Sequence, residues 1–196
     1  MSNPNLLVIL MKGYPGCGKS TLASALGSAY HVPVVDKDDA KDALQEQSDN
    51  VGDATINEIS YDIMMNVTKR QLINGLSVIV DSPLSRKSLY ERLTSLAKTF
   101  GARVVVLECT ASDHRLWNDR LVQRRLNSQG MYHKPSDLKD VLNLISSYGG
   151  EDVWTPDEGH VYNFSLDTTT IQSIGEQVRL FDDYLRKNNL CLKEAI

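Results

Sequence analysis

The sequence predicts an α/β fold in three layers: a five-stranded, mainly parallel sheet between two layers of helices, with a helical lid beside one end of the sheet. Short apolar runs alternate with longer amphipathic ones along the chain, the pattern of repeated strand–helix–strand units. Gly13-Tyr14-Pro15-Gly16-Cys17-Gly18-Lys19-Ser20 spells G-x-x-x-x-G-K-S. That loop lies between an apolar run, Leu6–Met11, and a helical run, Thr21–Leu26, with Leu22, Ala25 and Leu26 on one face. Strand, glycine-rich loop and helix thus follow in the order that a phosphate cradle requires.

The cradle has separable parts. Its glycines let successive backbone N–H groups turn inward towards phosphate oxygens. Lys19 supplies a compact positive charge for the β- and γ-phosphates, and the Ser20 hydroxyl is a ligand for Mg²⁺. The helix that starts near Ser20 adds its positive end. Gly13, Tyr14, Pro15, Gly16, Cys17, Gly18, Lys19, Ser20 and Thr21 are therefore read as binding ATP, and the fold as the phosphate-loop (P-loop) NTPase sandwich. Within the loop, Cys17 is read as somewhat acidic or as a small filler.

The remaining elements follow in order. Val32–Val35 is a short strand and Asp38–Gln47 a helix. Ser48–Asp53 is a polar loop. Ile56, Ile59, Ile63 and Val67 recur at helical spacing and predict an apolar stripe packed on the sheet, with Asn74-Gly75 as the stop. Ser77–Asp81 reads as a buried strand. Leu89, Leu93, Leu96 and Phe100 mark a helix beginning near Ser85 and ending at Gly101. Val104–Cys109 is a further strand, followed by a charged helix over Ser112–Asn127. Ser128–Pro135 reads as loop, Pro135 opens a helix reaching about Tyr148, Val161–Leu166 is the last strand and Ile171–Lys187 the closing helix. Residues 1–196 read as one domain, with the lid at about 112–135.

Composition narrows the function. At 41% hydrophobic and 23% charged residues the chain is an ordinary globular protein. A net charge of −4 disfavours a general electrostatic grip on nucleic acid while leaving room for a local basic groove. Cys17, Cys109 and Cys191 are too few and too widely spaced for a disulfide framework, and they form no metal-ligand pattern with the histidines. Leu6–Met11 is too short to span a bilayer and no leader pattern precedes it, so the expected compartment is the cytosol.

Phosphoryl transfer needs, besides the cradle and a metal, a group to orient or deprotonate the nucleophile and charge to stabilise the transferring group. Asp38, with Asp39, follows the second strand in Asp36-Lys37-Asp38-Asp39-Ala40-Lys41 and reads equally as a general base or as a helix cap. The phosphate loop followed by Lys37-Asp38-Asp39-Ala40-Lys41 resembles the kinase domain of bacteriophage polynucleotide kinase and its wider group of small P-loop kinases. The resemblance implies that Asp38 is the base and that Lys41 takes the role of a phosphate-contacting arginine, without that residue's bidentate fork. It also implies that Asp81 lies near substrate and metal, holding Mg²⁺ through water, with Ser82 and Arg86 facing the acceptor; the alternative is that Asp81 or Ser82 caps the next helix. Arg120 and Arg124, four apart on one helix face, fall where the group carries lid arginines that stabilise the transferred phosphate. Arg125 is less well placed, and the alternative for all three is a solvated face paired with Glu108, Asp113 or Asp119.

The implied function is an ATP-dependent kinase acting on a hydroxyl of a small molecule, monomeric or weakly dimeric, without a membrane partner. A polynucleotide 5′-hydroxyl kinase and an ATPase switch or binding module are the alternatives. The roles of His133, in the loop after the lid, and of Trp154, either stacked on a base or seated in a crevice, stay open.

Overall fold

The computed structural model describes residues 6–47, 51–127, 134–147, 154 and 161–192. The elements are β1 (Leu7–Lys12), α1 (Lys19–Tyr30), β2 (Val34–Asp36), α2 (Lys37–Gln47), α3 (Asp53–Ile73), β3 (Val78–Asp81), α4 (Lys87–Thr99), β4 (Arg103–Thr110), α5 (His114–Asn127), α6 (Leu138–Ser147), β5 (Tyr162–Asp167) and α7 (Ile174–Lys187). The strands form one sheet in the order β2-β3-β1-β4-β5, and each of these pairings is parallel. The expected α/β sandwich is present, and the sheet expected to be mainly parallel is parallel at all four pairings.

Period-two alternation in the central strands divides the interior in two. Leu7, Ile9 and Met11 of β1, with Val105 and Leu107 of β4, face α1 and α7 and meet Leu22, Leu26, Phe181 and Leu185. Val8 and Leu10, with Val104 and Val106, face the other way, onto Met64 and Leu72 of α3 and Leu89, Leu93 and Ala97 of α4. Both faces of β1 are covered, which is why Leu7–Met11 is one unbroken apolar run.

Register then sets the chemistry at the carboxyl edge. Asp36 of β2 pairs with Asp81 of β3, and Asp81 pairs with Met11 of β1. Two aspartates on adjacent strands thus end at one level, beside the point where β1 runs into the phosphate loop.

Helix α3 departs from the expected stripe. Its buried positions are Ile56, Ser60, Met64, Thr68 and Leu72, four apart. Ile59, Ile63 and Val67 are 40%, 38% and 39% exposed. The helix lies close against β2, β3 and α2, and small hydroxyl residues at 60 and 68 permit that approach. Ser60 remains satisfied there by donating to the Ile56 carbonyl at 2.7 Å.

Helix starts also shift, each to a cap. Asp36 accepts from Asp38 N at 2.8 Å, so α2 begins at Lys37. Asp113 accepts from the N–H groups of Arg115 and Leu116, both at 3.0 Å, and starts α5 at His114 rather than Ser112. Asp137 accepts from Asp140 N, so α6 opens after Pro135 at Leu138. Ser173 caps α7, which begins at Ile174 rather than Ile171. Helix α4 starts at Lys87 instead of near Ser85, with Arg86 in the cap position and no side-chain cap.

Candidate active site

The phosphate loop is an anion cradle in geometry as well as sequence. Gly13 has φ 148°, and a Cβ there would lie 2.5 Å from the Cys109 carbonyl oxygen and 2.7 Å from Cys17 Sγ, so a side chain is excluded. Gly18, at φ 85°, caps α1 without any side-chain hydrogen bond, and the first turn of α1 carries no acidic residue. The N–H groups at that helix start remain available to a ligand, with the dipole aligned for an anion.

Lys19 Nζ donates to Asp81 Oδ1 at 2.7 Å and lies 3.3 Å from Ser20 Oγ. Burial disfavours the lysine's charge, but the Asp81 carboxylate outweighs it and the Lys19 pKa is raised overall. Asp81 is only 1% exposed and caps no helix, which removes the capping alternative for it. Asp36, its neighbour across the β2–β3 pairing, is pushed up to about 6, first by burial and then by the Asp81 charge. Asp36 follows directly on Val34-Val35, yet sequence reasoning passed over it for Asp38.

One cavity of about 890 Å³ runs from the phosphate loop to α2, α3, α5 and the turn after β5. Seven lysine and arginine side chains line it against two aspartates, in a chain whose net charge is −4. Lys19, Asp38, Lys41, Ser82, Arg86, Arg120 and Arg124 all reach this cavity, which brings the expected site residues together with Asp81 behind Lys19. Arg125 and Asp39 are not among its lining residues.

Asp38 is in the first turn of α2, not at its cap. Lys37 Nζ and Lys134 Nζ each lie 3.0 Å from its carboxylate. Burial favours the neutral acid, but the two lysines overcome it and hold Asp38 well below the usual carboxylate range. Lys134 also lies 3.5 Å from Asp42, so the segment leading into α6 closes over α2. Lys41 is pushed down by burial and by the nearby charge of Lys37. Ser82 Oγ is buried and has no hydrogen-bond partner among the described residues.

Two contacts fix α5 to the loop. Trp117 Nε1 donates to the Pro15 carbonyl at 2.9 Å. The Arg120 guanidinium forks onto Thr168 Oγ1 and Thr168 O, both at 2.8 Å, and Thr168 Oγ1 donates to the Cys17 carbonyl at 2.7 Å. Arg124, one turn on, donates to the Pro135 carbonyl at 2.7 Å. The alternative for these arginines, a solvated face paired with Glu108, Asp113 or Asp119, finds no such ion pair among the described residues: Glu108 bonds Lys12 and Asp113 caps α5. Thr168 and Trp117 carried no motif that sequence could have flagged.

Cys17 is buried, and desolvation raises its pKa, which corrects the expectation of an acidic thiol and leaves the filler reading. Trp154 takes the crevice: it stacks on Tyr90 at 4.4 Å between ring centroids and donates to the Leu84 carbonyl at 3.0 Å. His133 lies outside the described residues.

With this geometry in place, comparison with known proteins is informative. A family model described as AAA domain matches residues 8–141, more than half of the chain. The chain belongs to the AAA-domain family. No curated protein matches it by sequence. Among solved structures, this AAA domain is similar to a candidate kinase of Chloroflexus aurantiacus, at 23% identity and a TM-score of 0.70 over 94% of this chain and 98% of that one. It is also similar to the Mycobacterium tuberculosis APS kinase CysC in complex with AMPPNP and APS (15% identity, TM-score 0.58, 94% and 99% covered). Chaetomium thermophilum Kti12 in complex with ADP-AlF3 is a third (17%, 0.59, 90% and 98%). At these identities the likeness establishes the shared fold alone. Among the described residues of this AAA domain, no helix is long and apolar enough to cross a membrane.

Proposed function

We propose that the chain is an ATP-dependent kinase that transfers the γ-phosphoryl group to a hydroxyl of a small-molecule acceptor. The observation that carries this reading is one cationic cavity holding the phosphate cradle at one wall and an ionised carboxylate, Asp38, at another. The likeness to an APS kinase with AMPPNP and APS bound supports it.

In this reading the triphosphate lies along the loop and the first turn of α1, and Lys19 exchanges Asp81 for phosphate oxygens. That exchange releases Asp81. Ser20 Oγ and, through water, the Asp81 carboxylate are hard oxygen donors at the phosphate end of the cavity, a set that suits Mg²⁺. The ion, when bound, would neutralise negative charge on the phosphates. Arg120 and Arg124 face the transferring group from the lid side, where planar donors match charge spread over its oxygens.

Asp38 accepts the acceptor's hydroxyl proton. Its depressed pKa makes it a weak base, but phosphoryl transfer passes through a loose transition state that asks more of positioning than of basicity. An always-ionised carboxylate held between two lysines suits that task. Lys41, Ser82 and Arg86 form the acceptor's wall. A polynucleotide acceptor, implied by the sequence resemblance of Lys37–Lys41 to phage polynucleotide kinase, is the second reading; it would bind single strands with strong salt dependence.

The test is transfer from γ-labelled ATP with Mg²⁺ to nucleosides, 5′-hydroxyl oligonucleotides and a metabolite extract. We expect label on a small molecule, with Asp38→Asn lowering kcat by about 10²- to 10⁴-fold and leaving ATP affinity unchanged. Release of free phosphate alone, indifferent to Asp38→Asn, would sink the kinase reading in favour of an ATPase switch.

A further inference from the structure

A second cavity, of about 280 Å³, lies on the other side of Tyr14. It meets the main cavity at Tyr14, Pro83 and Ser85, which line both. Its walls are Leu84, Ala111, Ile145 and the indoles of Trp117 and Trp154. Cys17 and Cys109 also line it, and burial raises both thiols' pKa values, so they present neutral, soft surface.

Several of the polar groups around this slot are already engaged. Gly13 N donates to the Pro83 carbonyl, Trp154 Nε1 to the Leu84 carbonyl and Trp117 Nε1 to the Pro15 carbonyl. The charged residues lining the slot, Lys12 and Glu108, are paired with each other, and Lys12 Nζ lies 5.5 Å from the centre of the Trp154 ring. A sugar placed here would meet side-chain hydroxyls only at Tyr14, Ser85 and Thr110, and each of its own hydroxyls left unpaired would lower affinity by roughly ten-fold. An aromatic body would leave no hydroxyl unpaired and would meet the two indoles that line the slot. The volume is about twice the ~150 Å³ cavity that holds a benzene ring, enough for a substituted or fused ring system.

We propose that this slot receives the body of the phosphate acceptor, and that the acceptor is an alcohol with an aromatic or otherwise apolar body, not a sugar or sugar acid. The inference rests on the kinase reading above and adds the substrate class. The hydroxyl reaches the main cavity past Tyr14 and Ser85, while the ring lies between Leu84 and the tryptophans.

Both tryptophans of the chain line the slot, so intrinsic fluorescence reports on it directly. The experiment compares 3-phenylpropanol and 2-(2-naphthyl)ethanol with glycerol and gluconate. It records label transfer from ATP, acceptor KM and, with AMPPNP bound, tryptophan emission. Ile145→Phe and Ala111→Leu narrow the slot from two different walls, so misfolding of one leaves the other usable. We expect the aromatic alcohols to shift the emission and to show a KM at least ten-fold below that of glycerol or gluconate. Either slot variant should raise the aromatic KM about ten-fold while changing the ATP KM less than two-fold. Preferred labelling of glycerol or gluconate with unchanged emission overturns this inference and leaves the kinase reading standing, as does an aromatic KM indifferent to both folded variants. Free phosphate as the sole labelled product, indifferent to Asp38→Asn, overturns both.

Discussion

Asp36 and Asp81 end adjacent strands at one level, and only Asp81 has a lysine. Burial first, and then the Asp81 charge, raise the pKa of Asp36 from 3.8 to about 6. Between those values the native chain binds more protons than the unfolded chain, so stability contributed at this position falls as pH rises through that window. Asp36→Asn removes the fall. We expect the variant to be more stable than the wild type by about 1–2 kcal/mol at pH 7 and equal to it below pH 4, read from urea midpoints. Asp38 has the opposite sign: its lysines stabilise the ionised form, and that contribution is lost as pH falls below the ordinary carboxylate range. The loop residues were legible in sequence because each of their chemical types is required at a fixed spacing. Asp36 was not, because what distinguishes it is its register with Asp81, a contact between residues far apart in the chain. Lys134 was hidden likewise, since its pairing with Asp38 depends on how the segment before α6 folds back.

At the scale of elements, hydrophobic patterning located every strand to within about two residues: β1, β3 and β4 are buried and read as apolar runs, whereas β5 alternates polar and apolar residues. Helix faces were less legible. The isoleucines and valine of α3 are spaced for a helix, yet close packing of α2, β2 and β3 selects the face with Ser60 and Thr68. The two assignments differ in their consequences. Met64→Ala should cost about 2–5 kcal/mol of stability, whereas Ile59→Ser should stay within about 0.5 kcal/mol, both measured by chemical denaturation. A reversed ranking would return the stripe to Ile59, Ile63 and Val67. Helix starts were hard to place because caps are short-range side-chain contacts: Asp36, Asp113, Asp137 and Ser173 each set one, and nothing in their spacing separates them from neighbouring polar residues.

For the molecule as a whole, the cavity gathers positive charge that a bound nucleotide would neutralise. AMPPNP with Mg²⁺ at a hundred times its Kd should therefore stabilise the chain by about 2.7 kcal/mol, seen as a rise in Tm. Lys19→Ala should abolish the increment even where its own baseline Tm differs. An unchanged increment would detach Lys19 from the phosphates. The attachment of α5 sets how such a ligand can be enclosed. Trp117 is bonded to the Pro15 carbonyl and Arg120 to Thr168, so the first two turns of α5 are tied to the phosphate loop and the end of β5. Among the described residues, Arg124 is hydrogen-bonded to the segment that leads into α6. Were the site to close over such a ligand, the pivot would fall within α5, past Arg120: one arginine would belong to the frame, the other to the door.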